Sequence, residues 1–139
     1  MASRDLRAAL HMLAADPPFT EEVAFHAQQA AEKSLKAFLF WHDVRFRKTH
    51  ELAQLSAPVE SLDPTLKDLC DRAADLTSFA WIFRYPDEQK PPTLEEAKSW
   101  LDLARAVYEA MLSRLPREVD PAHAGPNLWT ALAEEQMPE

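Results

Sequence analysis

The only glycine in the 139 residues is Gly125, near the C-terminal end. Tight hairpins draw on Gly, Asn or Asp where the backbone must take a positive φ. A chain with no glycine before residue 125 is therefore a poor candidate for a β-meander or a Rossmann unit. The phosphate-cradling loops GxGxxG and GxxxxGKS cannot be written in it, and neither can the GxSxG nucleophile elbow. Hydrophobic residues make up 47% of the sequence, enough for one core in one domain of this length. The expectation is an all-α chain.

Caps and periodicity predict five helices. The first starts with Ser3 as cap and Asp5 in its opening turn, and stops before Asp16-Pro17-Pro18. The second is capped by Thr20 and runs to Trp41 or His42, where the loop Asp43–Lys48 follows. Thr49 caps a short third helix expected from His50 to about Ser56, ended by Pro58. Asp63-Pro64 opens a fourth, running to Phe83. Thr93-Leu94-Glu95-Glu96 is a capping box that opens the fifth, running to Leu115. That last helix has the clearest stripe: Ala97, Trp100, Leu101, Ala104, Val107, Tyr108, Met111 and Leu115 share one face, with Lys98, Asp102, Arg105 and Glu109 opposite. Residues 1–116 form the predicted bundle; residues 117–139 form a Pro-containing tail with room for a short helix over 128–135.

The second helix carries two faces. Val23, Ala27, Ala31, Ser34, Phe38 and Trp41 form a core stripe. Phe25, Gln29, Glu32, Lys36 and Phe40 form a mixed face on the far side, of the kind that packs against a partner chain. Charge is uneven as well. The chain carries a net −8, yet residues 33–50 hold Lys33, Lys36, Arg45, Arg47 and Lys48 against Asp43 alone. An acidic body of this kind is a poor non-specific duplex binder, but its basic end suits RNA, a nucleotide or an acidic partner.

Cys70 is the only cysteine, so no intrachain disulfide can form, which fits a reducing compartment. The start, MASRDLRAAL, has charges where a signal peptide needs an apolar stretch. The apolar run Ala37 to Trp41, as long as any in the sequence, is far short of the ~20 residues of a membrane span. A cytoplasmic protein without membrane partners is the expectation. No cofactor is implied: Glu-x-x-His pairs for a di-iron bundle are absent, and no two histidines stand at zinc-ligand spacing on a helix.

Three motifs stand in order along the chain. They are the run His26-Ala27-Gln28-Gln29-Ala30-Ala31-Glu32-Lys33-Ser34-Leu35-Lys36-Ala37, then Lys48-Thr49-His50-Glu51-Leu52, then Leu76-Thr77 with Arg84-Tyr85-Pro86-Asp87-Glu88 and Pro92-Thr93. Together they resemble the HEPN family over about residues 4 to 115. The resemblance implies an up-and-down bundle of four to five helices, generally a homodimer. Many members sit beside minimal nucleotidyltransferases in toxin–antitoxin-like pairs. Others bind nucleotides, and others are metal-independent endoribonucleases that bring an Arg-x4-6-His pair from each protomer to a shared cleft.

Metal-free RNA cleavage needs a base for the 2′-hydroxyl and a cation for the phosphorane, roles that His and Arg fill. Arg4–His11 and Arg45–His50 both match the family spacing. With nine arginines and five histidines, roughly one such match arises by chance. Arg84 opens the stretch RYPDEQK, with no histidine within reach. The sequence thus nominates His50, Arg45 and Arg84 for catalysis at a dimer cleft. It nominates Gln29, Lys33, Lys36, Lys48 and Tyr85 for ligand binding, with Tyr85 available to stack a base. Two functions follow: a dimeric module that binds a nucleotide, a nucleotidyltransferase partner or both, and, as the alternative, a ribonuclease.

Overall fold

The computed structural model describes residues 2–46, 51–76 and 92–115. These form five α-helices and one 3-10 turn: α1 (Ala2–Ala14), α2 (Thr20–Trp41), α3 (Leu52–Leu62), the turn Pro64–Leu66, α4 (Lys67–Ala73) and α5 (Leu94–Ser113). There is no strand among them. The all-α expectation holds.

At 22 residues, about 33 Å long, α2 is the axis of the bundle. Its main neighbours are α5 and α1. Two apolar clusters lie along it. Val23, Ala27 and Ala30 of its first half pack with Leu6 and Ala9 of α1 and with Ala97, Leu101 and Ala104 of α5. Leu35, Phe38 and Leu39 of its second half pack with Leu52, Leu55 and Val59 of α3, Cys70 and Ala73 of α4, and Val107 and Met111 of α5. The N-terminal halves of α2 and α5 share one cluster and their C-terminal halves the other, so the two helices run in the same direction. Trp100 touches both clusters and joins them. The alanines on α2 and α5 leave little side chain between the axes, so these helices approach closely.

The α5 stripe and its capping box are as the sequence predicts. Thr93 Oγ1 accepts from the Glu96 backbone N–H while the Glu96 carboxylate accepts from the Thr93 N–H. Asp63 likewise caps the turn after α3, accepting from the Thr65 N–H, and its other carboxylate oxygen accepts from Arg114 Nε at 2.6 Å. The Thr65 hydroxyl and Arg114 hold the Asp63 carboxyl below its ordinary pKa. Burial pushes the Cys70 thiol up, against a smaller opposing effect of Ser56.

Several boundaries differ from expectation. The first helix already includes Ala2, so Ser3 is not its cap. Phe19, not Thr20, occupies the N-cap position of α2, and its N–H closes the α1–α2 loop on the Met12 carbonyl. Pro58 does not end α3; it sits inside it. The carbonyl that loses its donor there belongs to exposed Gln54, where water can serve it. The fourth helix begins as a 3-10 turn before becoming α-helical at Lys67. It ends at Ala73, where a turn at residues 74–75 follows, and does not run on as one helix towards Phe83 as the sequence predicts. Residues 77–83 of that prediction, the Thr49 cap and the tail over 117–139 lie outside the described residues.

The end of α2 shows how the chain manages without glycine. Asp43 takes φ 60, the left-handed region. The Asp43 N–H reaches back to the Phe40 carbonyl and the Val44 N–H to the Leu39 carbonyl, the paired bonds of a Schellman stop. Val44 then packs onto the second cluster. Asp is among the few non-glycine residues that tolerate this conformation.

Candidate functional site

Helix α2 carries two polar networks, each with most of its members in the HAQQAAEK run. The first joins α2 to α1. Asp5 occupies one position of the α1 stripe Ala2, Asp5, Leu6, Ala9, all buried. Its carboxylate accepts from His26 Nδ1 at 2.9 Å on one oxygen and from Lys33 Nζ at 2.8 Å on the other. The His26 and Lys33 side chains are 25% and 32% exposed, whereas the Asp5 side chain is 12% exposed. Partial burial works against the Lys33 ammonium, but hydrogen bonding to Asp5 and the nearby negative charges outweigh it and hold its pKa above the ordinary lysine value. The Phe25 ring meets the His26 ring edge-on at 5.4 Å.

The second network lies within α2. Gln29 Nε2 donates to Gln28 Oε1 at 3.0 Å, Gln28 Nε2 donates to Glu32 Oε1 at 2.9 Å, and Lys36 Nζ donates to Glu32 Oε2 at 2.8 Å. Glu32 and Lys36 are only 2% and 3% exposed. The mixed face expected to meet a partner chain is therefore closed at these two residues within a single chain. Phe25, 44% exposed, is the open part of that face.

Of the residues nominated from sequence, Gln29, Lys33 and Lys36 all lie on α2, but in different surroundings. Gln29 and Lys33 are partly exposed, whereas the Lys36 ammonium is enclosed and bound to Glu32. Arg45 is exposed just past the Schellman stop of α2. Lys48, His50, Arg84 and Tyr85 lie outside the described residues. Arg4 and His11 are both exposed on α1. Among the described residues, no three His, Cys, Asp or Glu side chains gather where a metal ion could be held. No helix among them is long and apolar enough to cross a membrane.

Sequence reasoning missed Asp5 and His26. Asp5 reads as a first-turn carboxylate favoured by the helix dipole; the structure turns it inward. The usable clue was its register, a carboxylate where the α1 stripe calls for an apolar side chain. For His26 the clue was spacing, because His26, Gln29 and Lys33 follow at intervals of three and four along α2.

An all-α bundle whose longest helix carries the HAQQAAEK run at its centre defines a class of small helical modules. The HEPN domain family model matches residues 1–115, and the chain belongs to the HEPN domain family. This family comprises nucleotide-binding and ribonuclease-like modules. No curated protein and no solved structure matches the chain.

Proposed function

We propose that this chain works as a dimeric HEPN module that binds a nucleotide, a minimal nucleotidyltransferase partner, or both, in a toxin–antitoxin-like setting in the cytoplasm. The family match across the bundle carries the reading. The ordered polar flank of α2 supports it, since His26, Gln29 and Lys33 present polar groups beside the exposed ring of Phe25. Light scattering on the eluting protein tests the dimer; a stable monomer at micromolar concentration sinks it. Isothermal titration with adenosine and guanosine nucleotides tests the ligand, and co-expression with a minimal nucleotidyltransferase tests the partner.

The alternative is a metal-independent endoribonuclease that gathers Arg45, His50 and Arg84 at a dimer cleft. Exposed Arg45, five residues before His50, favours it. Cleavage of structured RNA in EDTA that disappears in His50→Ala supports this second reading. A clean preparation with no cleavage, or with cleavage unchanged in that variant, removes His50 from the role.

A further inference from the structure

The Asp5 carboxylate does more than tie α1 to α2. It grips two proton-bearing groups with separate oxygens, so the His26 imidazole and the Lys33 ammonium share one carboxylate. With Nδ1–H given to Asp5, His26 Nε2 points to the opposite side of the ring and has no partner among the described residues. Lys33 has three N–H groups and Asp5 takes one. Gln29 lies between them on the same flank and gives one amide N–H to Gln28, keeping a second. The neighbouring acid, Glu32, accepts from Gln28 on one oxygen and from Lys36 on the other, and its charge also acts on Lys33.

We propose that His26, Gln29 and Lys33 bind the phosphate group of a phosphate monoester, with Asp5 as the positioning residue behind them. His26 keeps Nδ1–H on Asp5 and offers Nε2 to the P–OH of the monoester, while Lys33 and Gln29 supply N–H donors to the other phosphate oxygens. Charge-assisted bonds of this kind are the strong ones, and Asp5 fixes their geometry before the ligand arrives. No bond is made or broken in the ligand. The site rests on the nucleotide-binding reading only in that a nucleotide is one monoester able to fill it; inorganic phosphate or another monoester presents the same chemistry.

The experiment is a titration of the full-length, isotope-labelled protein with inorganic phosphate, adenosine monophosphate and adenosine, followed by NMR of the histidine rings and lysine ammonium groups. Phosphate and the nucleotide should move His26 and Lys33 saturably, and adenosine should not. His26→Gln and Lys33→Gln should each weaken binding about tenfold, the loss of one charge-assisted bond, while Lys33→Arg keeps most of it. The wild-type ring shifts test the site even if a variant fails to fold. Phosphate that leaves His26 unmoved, or affinity unchanged in both glutamine variants, overturns the site. A nucleotide that binds without moving His26 overturns it too, while the nucleotide-binding reading stands. Phosphate that moves His26, with no nucleotide bound more tightly than phosphate, upholds the site and removes the nucleotide-binding reading.

Discussion

The two polar networks on α2 share one stretch of sequence and differ in how they are built. Glu32 and Lys36 are neighbours on one helix, four residues apart, and almost fully enclosed. Asp5 reaches across from α1 to His26 and Lys33, 21 and 28 residues away in sequence, and leaves both partners in touch with solvent. A local pair of this kind forms wherever the helix forms, and its buried charges cannot separate without a large desolvation penalty. A pair across two helices forms only when the helices dock, and its exposed partners can release the carboxylate for water at modest cost. The first network is suited to holding α2 together; the second is suited to opening a side chain to something else.

Removing one partner from each network separates them most sharply. Glu32→Ala leaves the Lys36 ammonium enclosed without a counter-charge, and should cost about 3–5 kcal/mol in urea unfolding. The double variant Glu32→Met with Lys36→Met should recover most of that loss, because no buried charge is left. Asp5→Ala should cost less, about 1–3 kcal/mol, because water reaches both abandoned partners. Its effect should be localised: hydrogen exchange should speed up along α1 more than along α5. Equal losses at Glu32 and Asp5, or a double variant as unstable as Glu32→Ala, would remove the distinction between the networks.

The same contrast explains what the sequence disclosed. Features that lie within one helix were legible: the α5 stripe, the Thr93–Glu96 box and the Asp63 cap all follow from spacing along a single segment. The local Gln28–Glu32–Lys36 spacing was visible too, but its burial was not. Whether a mixed face is open depends on what folds over it, so Glu32 and Lys36 read as a partner surface and are enclosed. The Asp5 network was illegible for a further reason. Its members pair only through the docking of α1 on α2, and first-turn dipole stabilisation already gives Asp5 an adequate explanation. Pro58 was misjudged because a proline inside a helix is expected to end it, whereas here the orphaned carbonyl belongs to exposed Gln54.

A smaller change separates locality from burial. The Thr93–Glu96 box is as local as Glu32–Lys36, but it is exposed at the start of α5. Thr93→Ala should therefore cost about 1 kcal/mol, the usual worth of an N-cap. A thermal melt reading a loss as large as that of Glu32→Ala would show that locality alone, without enclosure, sets the cost.

The smallest expected effect concerns the Lys33 side of the Asp5 network. Its pKa stands above the ordinary 10.5, so the folded state holds this proton more tightly than the unfolded chain does. The resulting stabilisation is fully present below pH 10.5 and disappears as pH climbs through the folded value. Because the ammonium is partly exposed, solvent screening keeps the change below about 1 kcal/mol. Tyrosines titrate in the same range, so the quantity to measure is the difference in unfolding free energy between the wild type and Lys33→Met as pH rises. That difference should shrink towards zero at high pH. Lys33→Arg, whose guanidinium keeps its charge throughout, should hold its advantage over Lys33→Met across the same range. A wild-type advantage that persisted undiminished above the lysine range would mean that the charged bond from Lys33 to Asp5 is not its source.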